Sequence, residues 1–309
     1  MNVSGNCGVA SNELKQKSTF KDKAMLAGGS IAALAGGSIV PNMTVFPAMG
    51  IVGAMSKIGN MSQDKIDLIH KASKDALSIA GLDSKGVNIE WLKPSGKNLK
   101  FMDKLIILLN PLKMDVAVQE GLNACFSPPK NKIFMPDNKI SYAAFHEIGH
   151  AINFNNSKFW RGMQKFRGPA MILASLPMLY GAFTTESKAK DGKELTKLQK
   201  TNNFIRDNAG KLSFAAMLPV LAEEGMATIR GQKLANKLLS KDLAKTILKG
   251  NAVGYLAYVL SAVGLAAAAY TAVKIKDAFV NKNNSKKEQQ TMQAQQQTAQ
   301  NNVEEKAVA

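Results

Sequence analysis

Between Gly250 and Val273 the chain carries no charged side chain, and Tyr255, Leu256, Tyr258, Val259, Leu260, Val263 and Leu265 lead into an alanine run. A segment that leaves water must satisfy every backbone N–H and C=O within itself, and a single segment can do so only as a helix. Its length is close to the roughly 20 apolar residues that cross a bilayer. It is therefore expected to be a transmembrane helix, with a buried alanine-rich core helix as the other reading. Three further segments lack charge: Ala24 to Ser56, Gly168 to Thr185, and Leu212 to Ala222.

The first of these repeats Ala27-Gly28-Gly29-Ser30-Ile31 as Ala35-Gly36-Gly37-Ser38-Ile39. An eight-residue repeat returns small residues to nearly the same helix face, where a second helix can approach closely. Pro41 and Pro47 predict a bend, followed by a second apolar piece ending near Met55. A cleaved signal peptide is the rival, since Lys15, Lys17, Lys21 and Lys23 precede the run, although the polar leader is long for one. Pro169 and Pro177 make the 168–185 segment a kinked, re-entrant or interfacial helix, and 212–222 reads on length as a buried helix. Lysines at both ends of 250–273 remove any positive-inside asymmetry. Beyond Lys274 the asparagine, glutamine and lysine content predicts a disordered tail.

The formal charge of +17 raises nucleic acid as a partner, but no aromatic-basic motif, zinc finger or helix-turn-helix pattern accompanies it. Basic residues flanking apolar segments suit anionic lipid headgroups, so the bilayer is the expected partner and nucleic acid is not. A basic lipid- or nucleic-acid-binding protein with an incidental motif is the third reading. Cys7 and Cys125 form neither a disulfide framework nor a CxxC site, and Cys125 reads as a buried thiol.

Chemistry enters at His146-Glu147-Ile148-Gly149-His150. Residues four apart share a helix face, so both imidazoles can bind one metal ion while Glu147 points into the same cleft. The scaffold around this HExxH motif is legible in outline. A helix is expected from Ser62 to about Ala80, with apolar Ile66, Ile69, Ala72, Ala76 and Leu77 at helical spacing and Ser62 as N-cap. Val87 to Leu92 alternates like a strand, and Phe101 to Leu109 is a short apolar helix or strand. Asn123 to Phe126 and Lys132 to Pro136 read as strands joined by a turn through Pro128 and Pro129. Asp137 or Asn138 caps the next helix, whose apolar face is Ile140, Ala144, Phe145, Ile148 and Ile152. Gly149 costs helix stability, which suits a place where a neighbouring element or substrate passes close to the backbone.

A catalytic zinc takes three protein ligands and keeps one position open. His70, the remaining histidine, lies in a lysine-rich helix and reads as a partly exposed surface residue. Glu186, Asp191, Glu194 and Asp207 fall in a polar, lysine-rich connection and read as solvated. Glu223 and Glu224 instead follow the apolar 212–222 segment, at the start of an expected helix, and acids against a buried face need a partner. HEIGH followed by Glu224-Gly225-Met226-Ala227 resembles the gluzincin metallopeptidases, in which a glutamate on a second helix completes the zinc site. Glu224 matches that ligand, with Glu223 as the rival. Thr228 stands where many gluzincins have an aspartate supporting the first histidine. Within that group the order of elements from Gly121 to Gly231 is most similar to the HtpX-type membrane peptidases. The Asn110-Pro111 and Asp115 segment resembles the signature of intramembrane site-two peptidases, but it lies upstream of HEIGH, the wrong order for that family.

The resemblance implies an α+β, mainly helical chain: a zincin-like catalytic domain with a small sheet and membrane-associated helices. The expected organisation is a polar leader (1–23), an apolar membrane-associated segment (24–56), the catalytic domain (57–249, including 168–185), a transmembrane helix (250–273) and the polar tail (274–309). The expected protein is an integral, multi-pass membrane zinc endopeptidase with zinc on His146, His150 and Glu224. Glu147 is its general base, and a peptide or membrane-protein substrate pairs with the edge strand near Ala124 to Phe126. Arg230, Tyr142, Tyr180 and Tyr255 are candidate oxyanion donors. The alternative is a non-catalytic membrane protein that keeps the fold as an interaction or scaffold module.

Overall fold

A computed structural model describes residues 20–43, 45–93, 114–137, 139–189 and 193–308. Cys7, most of the leader, Asp191 and the segments 101–109 and 110–113 lie outside them. The described chain is mostly helical with one three-stranded sheet, so the α+β, mainly helical class holds. Its helices are α1 (Phe20–Met43), α2 (Val45–Gly59), α3 (Gln63–Ile79), α4 (Met114–Gln119), α5 (Ala144–Asn156), α6 (Lys158–Phe183), α7 (Lys197–Asp207), α8 (Ala209–Leu238) and α9 (Lys241–Val308).

β1 (Asn88–Leu92) falls within the alternating Val87 to Leu92 and β3 (Lys132–Pro136) where expected, whereas β2 (Cys125–Ser127) starts two residues after the expected Asn123 and takes in Ser127. β3 is central, parallel to β1 and antiparallel to β2, which leaves β2 on an edge. Ile133 and Met135 of β3 are buried with Ile69 of α3 and with Phe145 and Ile148 of α5. The sheet thus supports the outer side of α5. Asn131, at φ 49°, turns β2 into β3 and accepts a hydrogen bond from Asn155 at the end of α5; asparagine tolerates this left-handed backbone.

Several expectations change. Asp137 does not cap α5: a single 3-10 turn, Ser141–Ala143, precedes it and Ala143 occupies the N-cap, while Asn138 is outside the described residues. Ile140 enters that turn at φ 45°, a costly conformation for a β-branched residue, held by burial in the core. Glu223 and Glu224 lie in the middle of α8 rather than at a helix start, because Pro219 is accommodated inside a continuous helix. α6 likewise runs through Pro169 and Pro177. Residues 274–308, expected to be disordered, continue α9; no glycine or proline follows Gly264 to stop it, and alanine, glutamine, lysine and glutamate are good helix formers. Pro41 lies inside α1 and Pro47 inside α2; residue 44 between the two helices, and with it the expected bend, lies outside the described residues.

The glycine repeat does what its spacing suggested. A Cβ on Gly37 would sit 3.1 Å from the Ala268 carbonyl oxygen, and one on Gly36 would collide with Ile275, so α1 lies tightly along α9. Two helices, Ala209–Leu238 and the stretch Lys241–Thr298 of α9, are long and apolar enough to cross a membrane; Leu26–Gly37 is a shorter apolar stretch.

Candidate metal centre

The decisive contact in this fold is between α5 and α8, and glycine makes it possible on both sides. A Cβ on Gly149 would strike the backbone of Ala227, and a Cβ on Gly231 would strike the carbonyl of Phe145. The two helices therefore touch backbone to backbone. That proximity lets Glu224, in the middle of one helix, reach both histidines of the other.

The geometry is compact. His146 Nε2 lies 3.0 Å from His150 Nε2 and 3.1 Å from Glu224 Oε2, and His150 Nε2 lies 3.5 Å from the same oxygen. Ligands around a tetrahedral ion at about 2.0–2.1 Å are separated by roughly 3.3 Å, so a point within bonding distance of all three atoms sits just off the plane of this triangle.

The outer hydrogen bonds fix which nitrogens face that point. His150 Nδ1 lies 2.9 Å from Glu223 Oε1, with the Gln164 amide nitrogen 3.3 Å away, and His146 Nδ1 lies 3.1 Å from the Thr228 hydroxyl, which can accept from an Nδ1–H or donate to a bare Nδ1. In the tautomer with both protons on Nδ1, the two Nε2 lone pairs point inward beside a carboxylate oxygen, a donor set that suits a cation. Burial holds His146 well below its ordinary value, at about 4, with the neighbouring His150 acting in the same direction. It stays neutral, the form that binds metal. Asn153 donates to Glu223 Oε1 at 2.9 Å, and the Arg167 guanidinium pairs with Glu224 Oε1 and lies 5.2 Å from the Tyr258 ring centre. Glu147, Glu223 and Glu224 thus bring three buried carboxylates against one contacting guanidinium. A dication would neutralise the remainder.

Glu147 is buried, and its Oε2 accepts a 2.7 Å hydrogen bond from the Phe126 amide of β2. The Ala124 amide is likewise held, by Asn123 Oδ1 at 2.9 Å. The edge strand lies beside the histidines, but these two donors are engaged by side chains. Next to Glu147 and His146 opens a cavity of about 360 Å³, walled by α2, the loop before β2, α5 and the first turns of the 250–273 stretch.

No protein-family model, curated protein or solved structure matches this chain.

Of the residues singled out by sequence, His146, Glu147, His150 and Glu224 come together, and Glu223 takes the supporting place on His150 rather than facing both Nε2 atoms. Tyr142 and Tyr255 line the cavity, Arg230 does not, and Tyr180 donates to Asn202 instead. His70 is partly exposed, as expected. It stacks on Trp91 with ring centres 3.6 Å apart, and burial lowers its pKa. Cys125 is half-buried, whereas Glu186, Glu194 and Asp207 are exposed. Sequence reasoning missed Asn153 and Arg167. Asn153 follows His150 by three and was readable as sharing its face. Arg167 was visible only as the charge bordering the 168–185 segment.

Proposed function

We propose that the protein is a membrane-associated zinc endopeptidase of the gluzincin type with a zincin-like catalytic domain. The observation that carries this reading is the triangle of His146 Nε2, His150 Nε2 and Glu224 Oε2 beside the Glu147 carboxylate. Two imidazoles and one carboxylate form a donor set that zinc favours, with a fourth position left for substrate or water. Zinc bound there would supply Lewis acidity and an acidified water. Glu147 would take the proton of the attacking water and return it to the leaving nitrogen, while the Phe126 amide keeps its carboxylate aimed into the cleft. Tyr142 and Tyr255, in the cavity wall, are the oxyanion-donor candidates within reach of that cleft.

The membrane setting rests on where apolar side chains are exposed. Met171, Ile172, Leu176, Leu179 and Phe183 stand outward on α6, and Leu256, Val263 and Tyr270 do so on α9. Large apolar side chains exposed along two helices suit lipid. The 250–273 segment would cross the bilayer with Lys249 and Lys274 at its ends, and its first turns also wall the cavity beside Glu147. Membrane-protein segments would thus be the natural substrates.

A second reading, a scaffold protein that retains the metal without catalysis, draws on the hydrogen bond that occupies Glu147. One experiment separates the two. Purified full-length protein in detergent should hold about one zinc and cleave an unfolded membrane-protein substrate, and Glu147→Gln should keep the zinc and lose the cleavage. Cleavage that survives Glu147→Gln would refute the peptidase reading. Bound zinc with no cleavage by either protein would favour the scaffold.

A further inference from the structure

The cavity beside Glu147 has a chemistry of its own. Apart from His146 and Glu147 its walls are largely apolar, with Ile51 and Met55 from α2, Leu122 before β2, and Tyr255, Tyr258 and Leu260 from α9. Asn251 belongs to this lining; it is 4% exposed, and its amide nitrogen Nδ2 has no hydrogen-bond partner among the described residues. The Tyr142 hydroxyl, also in the wall, is buried and unpartnered as well. A buried amide donor is normally paired, so an orphan one in a cavity marks the place where a ligand supplies the acceptor. The complement to these walls is a large apolar group with a hydrogen-bond acceptor next to it. A peptide offers that combination wherever a bulky apolar residue adjoins its own backbone carbonyl.

We infer, resting on the peptidase reading above, that this cavity selects the substrate by one large apolar side chain, and that Asn251 Nδ2 donates to a substrate backbone carbonyl beside it. Selectivity then comes from the helix that carries the 250–273 segment rather than from the HExxH helix. Asn251 binds substrate, whereas Glu147 and the histidines act on it. Gly254 gives access to the cavity without disturbing the fold: it lines the wall, and a Cβ there would meet nothing within 4 Å. A larger residue at this position fills the cavity and also favours the helix.

The test uses full-length Glu147→Gln in detergent, so that peptides bind without being cut. The probes are two fluorescein-labelled ten-residue alanine-serine peptides, one with phenylalanine at its centre and one with alanine there. The phenylalanine peptide should bind at least about tenfold more tightly, from burial of the ring. Adding Gly254→Leu should erase that preference, and adding Asn251→Ala should weaken both peptides by about tenfold while leaving their ratio intact. Zinc content is measured on every variant. Zinc-loaded protein that binds the two peptides equally, or binds neither, overturns the pocket. The same holds if Gly254→Leu keeps the preference or Asn251→Ala leaves both affinities unchanged. Selective peptide binding by protein that holds no zinc keeps the pocket and overturns the zinc reading instead. If Asn251→Ala does not fold, Gly254→Leu still decides the matter.

Discussion

Replacing Gly149 by alanine puts one methyl group between α5 and α8, and its consequence can be worked from the contact itself. The added Cβ would stand 2.9 Å from Ala227 Cα and closer still to the Ala227 carbonyl. Carbon atoms settle at roughly 3.5–4.0 Å, so the helices must separate by about 1 Å. Backbone, unlike a flexible side chain, has no rotamer through which to yield. The distances from Glu224 Oε2 to His146 Nε2 and His150 Nε2, now 3.1 and 3.5 Å and so close to the roughly 3.3 Å between ligands of a tetrahedral zinc, would both then lie far beyond it. Disturbing the groups that orient metal ligands costs about 10–100-fold in metal affinity. Zinc affinity, measured by competition with a chromophoric chelator, should fall by about that factor. Thermal unfolding should show a net loss of up to about 2 kcal/mol: overpacking costs about 1–3, offset by about 1 gained from alanine's helix propensity. Gly162→Ala is the control, because a Cβ at that exposed position on α6 meets nothing within 4 Å. It should raise stability slightly and leave zinc binding alone. If Gly149→Ala behaves like Gly162→Ala, the close helix contact does not hold the site together and the argument from it is wrong.

Three other outcomes are expected. Glu224→Ala should abolish stoichiometric zinc, whereas Glu223→Ala, which removes the partner of His150 Nδ1 and of the Asn153 amide, should weaken zinc by about 10–100-fold; equal losses in a metal analysis would show that the two acids share one role. Arg167→Leu should lower the melting temperature of chelator-treated protein more than that of zinc-loaded protein, because without zinc the buried Glu224 is left unneutralised; an equal drop in both states would contradict this. His146 is held at about 4 when folded, against 6.5 in the unfolded chain. The unfolded state therefore binds more protons between these values, and the metal-free protein should lose stability as pH falls from 6.5 towards 4. His146→Ala should flatten that part of a melting-temperature profile.

Some of this arrangement was legible in local patterns. Two histidines four apart with a glutamate between them and the apolar alternation of Val87 to Leu92 are set by residues close in sequence, where helix and strand periods apply directly. The tail after Lys274 was misread because polar composition argues against a packed core, not against an exposed helix. The cap of α5 was misread because Asp137 is a good capping residue in isolation, and the buried turn at Ile140 displaced the helix start beyond it.

The ranking of Glu224 over Glu223 shows the division most clearly. The sequence alone determined that the chain would carry an HExxH helix, two buried acids downstream, and charge-free segments long enough to need a membrane or a core. Adjacent acids on a helix point about 100° apart, so only one can face both imidazoles, and nothing local says which. The tertiary structure decided it through the rotation and spacing of α8 against α5, set by Gly149 against Ala227 and Gly231 against Phe145. The same packing recruited Arg167 and Asn251 from elements whose own sequence gives no hint of the site. Their positions come from helices meeting across long stretches of chain, and no periodic pattern encodes such distances.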